Sequence, residues 1–267
     1  MTNGGGRRIV FGVGPVRELL RSSRTDVSGV WLSRSRAEQG DRRADGRDPL
    51  AELVDLAERR GIETSRHDPA ELDAIAGPGA HHQGVVAIAG TYRYAEIEDL
   101  IDLSAAAGSN GLLVALDGVT DPHNLGAIAR SAHVLGAQGL IMPRDRAAAV
   151  SPAVTKASAG ATEHLAMAQV TNLARALGQL KEAGLWTAAL DAGPRSRPLA
   201  ELDASVPLCL VVGAEGRGIR PLVARSCDFQ LEIPMRGSAV GSLNVSVAAG
   251  IALYEVARQR GARTPED

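Results

Sequence analysis

The chain has 267 residues, 45% of them hydrophobic and 22% charged, which suffices for one large or two modest packed domains and excludes a mainly disordered chain. No run of about 18 apolar residues occurs, and the opening MTNGGGRRIV lacks the apolar stretch of a secretory signal, so a cytoplasmic protein without a membrane partner is expected. The net charge of -2 gives no reason by itself to expect a nucleic-acid partner, but residues 1–47 hold ten Arg against five acidic residues, a surplus suited to phosphate contacts.

From Pro15, PVRELLRSS reads as a short helix with proline in its first turn, and VSGVWLS (27–33) as a strand. The stretch 34–47 is rich in Arg, Asp and Gly. It is either a basic arm or a solvated loop whose arginines reflect a chain with 27 Arg and two Lys. PLAELVDLAERR (49–60) has apolar residues at helical spacing and ends at Gly61; IETSR, PAELDAIA and GVVAIAG continue the alternation. This predicts a small α/β unit over 8–90. Residues 91–110, an acidic helical segment leading into GSNG, read as a linker.

A second α/β unit is predicted over 111–260. GLLVALDGV (111–119) is a continuous apolar run suited to a strand covered on both faces. Strands are expected at 139–143, 165–170, 185–190, 207–213 and 229–234, and helices at 124–136, 152–159, 172–183, 221–226 and 243–259. Such alternation implies a mainly parallel sheet that holds ligands at the carboxyl ends of its strands.

The usual nucleotide fingerprints are missing: Gly12-Val13-Gly14 lacks a third glycine, and no GxxxxGK[ST] exists. Cys209 and Cys227 form no CxxC pair, and the adjacent His81 and His82 show no companion ligands, so neither a disulfide nor a metal is expected. Three segments at strand ends stand out instead. In DGVTDPHNLGAIARSAHVLGA (117–137), Asn124 is a candidate helix cap, and Arg130 on an apolar helix calls for an acidic partner or a ligand anion. GAEGRGI (213–219) offers close backbone approach at Gly213, Gly216 and Gly218, with Glu215 as a carboxylate at the strand end. IPMRGSAVGSLNVSVAAGIALYEVA (233–257) passes from a strand through a Gly/Ser loop into a helix capped by Ser242 or Asn244, and the helix is small enough along its length to pack closely. Each pattern alone is as readily an ordinary salt bridge, turn or helix start.

Together, in this order, NLGAIAR, GAEGRGI and IPMRGSAVGSLNVSVAAG resemble the three motifs of the SpoU (TrmH-like) class of RNA ribose 2'-O-methyltransferases over about residues 111–260. FGVGPVRELL, HHQGV (81–85) and the run from DPHNLGAIAR through SPAVTKASAGATEHL are similar to the bacterial subfamily that methylates a guanosine of 23S rRNA in the peptidyl-transferase region. The resemblance implies an α/β fold in which a trefoil-knotted SPOUT domain follows a small L30e-like substrate-binding domain. It also implies a homodimer with its site near the subunit interface, S-adenosyl-L-methionine as cofactor and 23S rRNA as partner.

By the same resemblance the catalytic set falls on Asn124, Arg130, Glu215, Ser242 and Asn244. The cofactor pocket falls on Leu190, Asp191, Ala192, Gly213, Ile233 and Leu243. Arg130 has two implied roles, a perturbed base or a cation that grips phosphate and polarises the ribose hydroxyl; a guanidinium is ordinarily protonated at neutral pH. Rival readings are the same reaction on tRNA or on another rRNA nucleotide, including antibiotic-resistance methylation, and a non-catalytic RNA-binding protein of ribosome assembly.

Overall fold

A computed structural model describes residues 6–35, 48–236 and 241–261. The chain forms two compact units, one of Met1–Arg93 with Val150–His164 and the other of Tyr94–Ala149 with Leu165–Asp267.

The first unit is built on four strands, β1 (Arg8–Phe11), β2 (Val27–Ser33), β3 (Thr64–His67) and β4 (Val85–Ala89), in the order β1-β4-β2-β3. β4 runs antiparallel to β1 and β2, and β3 runs parallel to β2. Helices α1 (Val13–Arg21) and α2 (Pro49–Arg59) bury Val16, Leu19 and Leu53 with Val30, Val85 and Ala87 in one core. The spacing of Val16, Leu19 and Leu20 puts these side chains on one helical face. α2 starts where Asp48 accepts the Leu50 N–H and Pro49 fills the first helical position. α3 (Pro69–Ala76) begins at a capping box of Asp68 and Glu71 and buries Leu72. β1 was not expected from the sequence, because four residues carry too little periodicity and their partner lies far along the chain.

The segment Val150–His164, expected within the second domain, belongs instead to this first unit. Its short helix α6 (Pro152–Ala157) packs on β1. The Glu163 carboxylate accepts two bonds from the Arg8 guanidinium, at 2.7 and 2.8 Å, with both side chains buried. Ser22 Oγ donates to the Glu163 carbonyl at 2.6 Å, and His164 Nε2 lies 2.9 Å from Glu18. A charge pair separated by 155 positions leaves no trace in local pattern.

The second unit is a seven-stranded, wholly parallel sheet: β5 (Leu112–Asp117), β6 (Gly139–Pro143), β7 (Ala166–Val170), β8 (Trp186–Leu190), β9 (Arg197–Pro198), β10 (Leu208–Gly213) and β11 (Phe229–Glu232). The order is β7-β6-β5-β10-β8-β11-β9. β5 and β10 are buried at every position, which requires cover on both faces. α4 (Ile97–Ala106), α7 (Leu173–Glu182) and α8 (Pro221–Ser226) share one core with the sheet. α5 (Pro122–Val134) and α9 (Val245–Gln259) pack on each other, and reach the sheet at β6 and β10 respectively.

The stretch 91–110, expected as a linker, holds α4. Ile97 and Leu100 lie in the sheet's core, and the Ala95 N–H donates to the Met167 carbonyl at 2.8 Å. A Cβ on Gly139 would stand 2.7 Å from Leu100 Cγ, so glycine is what lets α4 lie this close to β6. The acidic exposed face of α4 made it read as linker, whereas its apolar face decides its place. The trefoil threading implied for 237–250 falls partly on 237–240, outside the described residues, as do Arg36, Arg42 and Arg43 of the basic stretch.

Candidate active site

β5, β10, β8 and β11 end side by side, with Asp117 level with Gly213, Val212 with Leu190, and Leu190 with Leu231. The strand order runs outward from β5 to β7 and resumes on the other side of β10, so the crevice at these carboxyl ends lies where a doubly wound sheet places ligands. A cavity of about 450 Å³ opens there. Its walls include Leu190, Asp191 and Ala192 from the end of β8, Gly213 and Glu215 after β10, Ile233 after β11, and Ser242, Leu243 and Asn244 before α9. All six residues expected to line a cofactor pocket therefore meet in one cavity, with three of the five expected catalytic residues.

Local geometry explains the glycines. A Cβ on Gly213 would overlap the backbone of Gly218 and Ile219, so the loop after β10 folds back onto its own strand only over glycine. Gly216 and Gly218 have φ of 73° and 64°, which side chains disfavour. The loop is fastened by Asp117, whose buried carboxylate accepts the Arg220 backbone N–H and Nε, both at 2.7 Å. Asp117 was not singled out from the sequence; the available signal was a lone carboxylate closing the apolar strand LLVALD.

Asn124, Glu215 and Asn244 converge from α5, the β10 loop and the start of α9. Asn124 Nδ2 donates to Glu215 Oε1 at 3.2 Å, and Asn244 Nδ2 donates to Asn124 Oδ1 at 3.0 Å and to the Glu215 carboxylate. Asn244 also caps α9, its Oδ1 accepting from Ser246 N at 2.9 Å and Ser246 Oγ at 2.6 Å. The cap of α5 is Asp121, which accepts the His123 N–H at 2.9 Å; Asn124, the expected cap, is instead buried in the first turn and spends its amide on Glu215 and Asn244. Arg130 is exposed, lines no part of this cavity and has no ion-pair partner among the described residues. The acidic protein partner that its apolar helix called for is thus not found there. Val134, one turn further along the same face, is also exposed.

Burial pushes the Asp191 carboxyl above its ordinary range. The Cys227 thiol is pushed up to about 12, first by burial and then by neighbouring Asp228, and burial raises Cys209 further, so both thiols stay protonated at neutral pH. Among the described residues no group of three His, Cys, Asp or Glu could hold a metal, and no helix is long and apolar enough to cross a membrane.

The sequence pattern of the SpoU rRNA Methylase family matches residues 111–254, and that of RNA 2'-O ribose methyltransferase substrate binding matches 9–95. The chain is 42% identical over 255 residues to a 23S rRNA (guanosine-2'-O-)-methyltransferase, RlmB, of Pseudomonas aeruginosa, covering 94% of this chain and 96% of that one. It is 39% identical to YacO of Bacillus subtilis, described as a putative TrmH family tRNA/rRNA methyltransferase, over 94% and 95% of the two chains. Among solved structures, the SpoU methyltransferase AviRb of Streptomyces viridochromogenes in complex with AdoMet superposes with a TM-score of 0.75 at 26% identity, covering 97% of this chain and 92% of that one.

Proposed function

The chain belongs to the SpoU rRNA methylase family, and from that premise we propose that it transfers a methyl group from S-adenosyl-L-methionine to the ribose 2'-oxygen of a guanosine in 23S rRNA. The observation that carries this reading is the cavity at the ends of β8, β10 and β11, with the Asn124–Glu215–Asn244 cluster beside it, in a chain matching the 23S rRNA enzyme over 94% of its length.

The cavity's chemistry fits the cofactor. Leu190, Ile233 and Leu243 supply apolar walls for an adenine, and the glycine backbone at 213 gives polar groups close approach. When bound, S-adenosyl-L-methionine supplies an electrophilic methyl on a sulfonium. The protein's task is to align the ribose oxygen with that methyl and assist departure of its proton. Asn124 and Asn244 both donate to Glu215 and so fix its carboxylate at the cavity wall, an arrangement suited to accepting a ribose hydroxyl. Ser242 offers a further hydroxyl from the cavity wall. Arg130, an exposed guanidinium without a counter-charge among the described residues, suits the gripping of the target phosphate.

The active species is proposed to be a homodimer. α9 exposes Val247, Ile251 and Tyr254 at helical spacing, and α5 exposes Val134 one turn beyond Arg130. An apolar stripe on two mutually packed helices suits a second copy of the chain, and it would bring Arg130 to the subunit boundary.

Mass-spectrometric mapping of 2'-O-methylated nucleotides in rRNA from cells with and without the protein tests the function. The expected result is loss of one 2'-O-methylguanosine in 23S rRNA. An unchanged rRNA map with a lost tRNA methylation would move the reaction to tRNA, and no change in either would leave an RNA-binding protein without turnover.

A further inference from the structure

Three stretches that carry the resemblance but no part in the cavity meet in the first unit: Phe11-Gly12 at the end of β1, the turn at 81–83, and α6. Lys156 of α6 joins them. Its Nζ donates to the His81 carbonyl at 3.1 Å and stands 5.8 Å from the centre of the Phe11 ring. Gly12 has φ of 91°, and a Cβ there would lie 2.7 Å from Lys156 Nζ and 3.1 Å from Gln83 Oε1. Gln83, itself at φ of 54°, turns back so that its Oε1 accepts the Val13 N–H at 3.0 Å. Glycine at 12 therefore leaves the space that the ammonium occupies.

The charge in this arrangement is uncompensated. Lys156 has no ion-pair partner among the described residues, and the first turn of α1 beside it carries no acidic side chain. Burial lowers its pKa, the mark of a cation losing water without gaining a carboxylate. The only other lysine supplies the contrast: Lys181 is paired with Asp228 at 2.7 Å. In a chain that otherwise uses arginine, with 27 Arg to two Lys, a compact ammonium stands in the space that Gly12 leaves open. A partly desolvated cation beside a glycine, packed on elements matched to substrate binding and without a carboxylate among the described residues, calls for an external anion.

We propose that Lys156, seated between Phe11, Gly12 and the 81–83 turn, contacts a backbone phosphate of the RNA substrate. This rests on the functional reading above, and makes α6 part of the RNA-binding unit although it lies within the methylase match in sequence.

The test uses the full-length protein and a transcript of the peptidyl-transferase region of 23S rRNA, titrated from 50 to 300 mM salt, about the range where counterion release is read. Lys156→Met should weaken binding by about tenfold, the order expected of one charged hydrogen bond, and reduce the salt slope by about 0.7–0.9. S-adenosyl-L-methionine affinity should stay unchanged. Lys156→Gln keeps a donor for the His81 carbonyl without the charge, so it should show the same RNA defect with a wild-type melting temperature. If Lys156→Gln melts as wild type and keeps the full salt slope and affinity, the lysine is only a clasp and the proposal is overturned. If the wild-type protein does not bind this RNA while binding cofactor normally, the functional reading falls and this assignment with it.

Discussion

Glu163→Gln should unfold the first unit preferentially. The Arg8 and Glu163 side chains are 7% and 0% exposed, and their two bonds of 2.7 and 2.8 Å form a bidentate pair. An amide at 163 can accept only one of these bonds and presents an N–H to the guanidinium in place of the other oxygen. Arg8 Nε has no hydrogen-bond partner among the described residues, and what else faces the guanidinium is neutral: Thr155 Oγ1 at 3.4 Å and the Tyr92 ring at 5.4 Å. Removing one partner of a buried pair costs about 3–5 kcal/mol. Native domains have only about 5–15 kcal/mol in total, and 3 kcal/mol alone lowers the melting temperature of a unit of this size by roughly 12 °C or more.

The readout is available in the chain itself, because it has two tryptophans, Trp31 in the first unit and Trp186 in the second. In a Trp186→Phe background, urea unfolding followed by Trp31 fluorescence reports the first unit. The double variant Arg8→Met/Glu163→Met should recover most of the loss, since an apolar pair of similar volume leaves no buried charge. Cofactor affinity, measured by calorimetry, should be retained in the single variant below its melting point. A loss under about 1 kcal/mol, the worth of an exposed pair, would refute the claim that this pair ties 150–164 into the first unit.

Arg130→Ala should alter stability by no more than about 0.5 kcal/mol, as expected of an exposed unpaired side chain, while single-turnover methyl transfer at saturating RNA and cofactor falls more than about a hundredfold; a loss within about tenfold, ~1.4 kcal/mol of barrier, would move the assignment to Asn124, Glu215 or Asn244. Arg130→Lys should keep partial activity if phosphate gripping is its role, and none if the planar fork is required. Ile251→Asp with Tyr254→Asp should convert a dimer to a monomer in sedimentation, leaving helix content unchanged. Asp228, pushed up by burial but lowered on balance by Lys181 and the Thr187 hydrogen bonds, contributes stability that is present above the ordinary carboxylate range and lost as pH falls through its lowered pKa. Asp228→Asn should therefore flatten the acid limb of a melting-temperature profile, and an unaltered limb would show that the carboxylate is not anchoring β8 to β11.

Most of the second unit was legible because short apolar strands alternate regularly with helical patterns. β6 at 139–143 and α8 at 221–226 fall on the expected residues, and the apolar run at β5 foretold a strand buried on both faces. The cavity-lining residues were legible only through the family resemblance, and the structure supplies the physical reason they meet: they follow strands, and a parallel sheet gathers strand ends at one edge. Glycine at 213 and 218 marked the close approach before its object was known.

The residues themselves therefore determined the alternating α/β order, the parallel sheet and the polar set at its carboxyl edge, since each depends on local periodicity or on adjacency in the chain. Tertiary structure alone decided which charges are paired, which carboxylate fastens the loop, and where 150–164 belongs. Arg8 with Glu163, Asp117 with Arg220 and Lys156 with the Gly12 turn are separated by more than a hundred positions in sequence. A Coulomb or hydrogen-bond energy depends on distances in space and on burial, neither of which exists before the chain has folded.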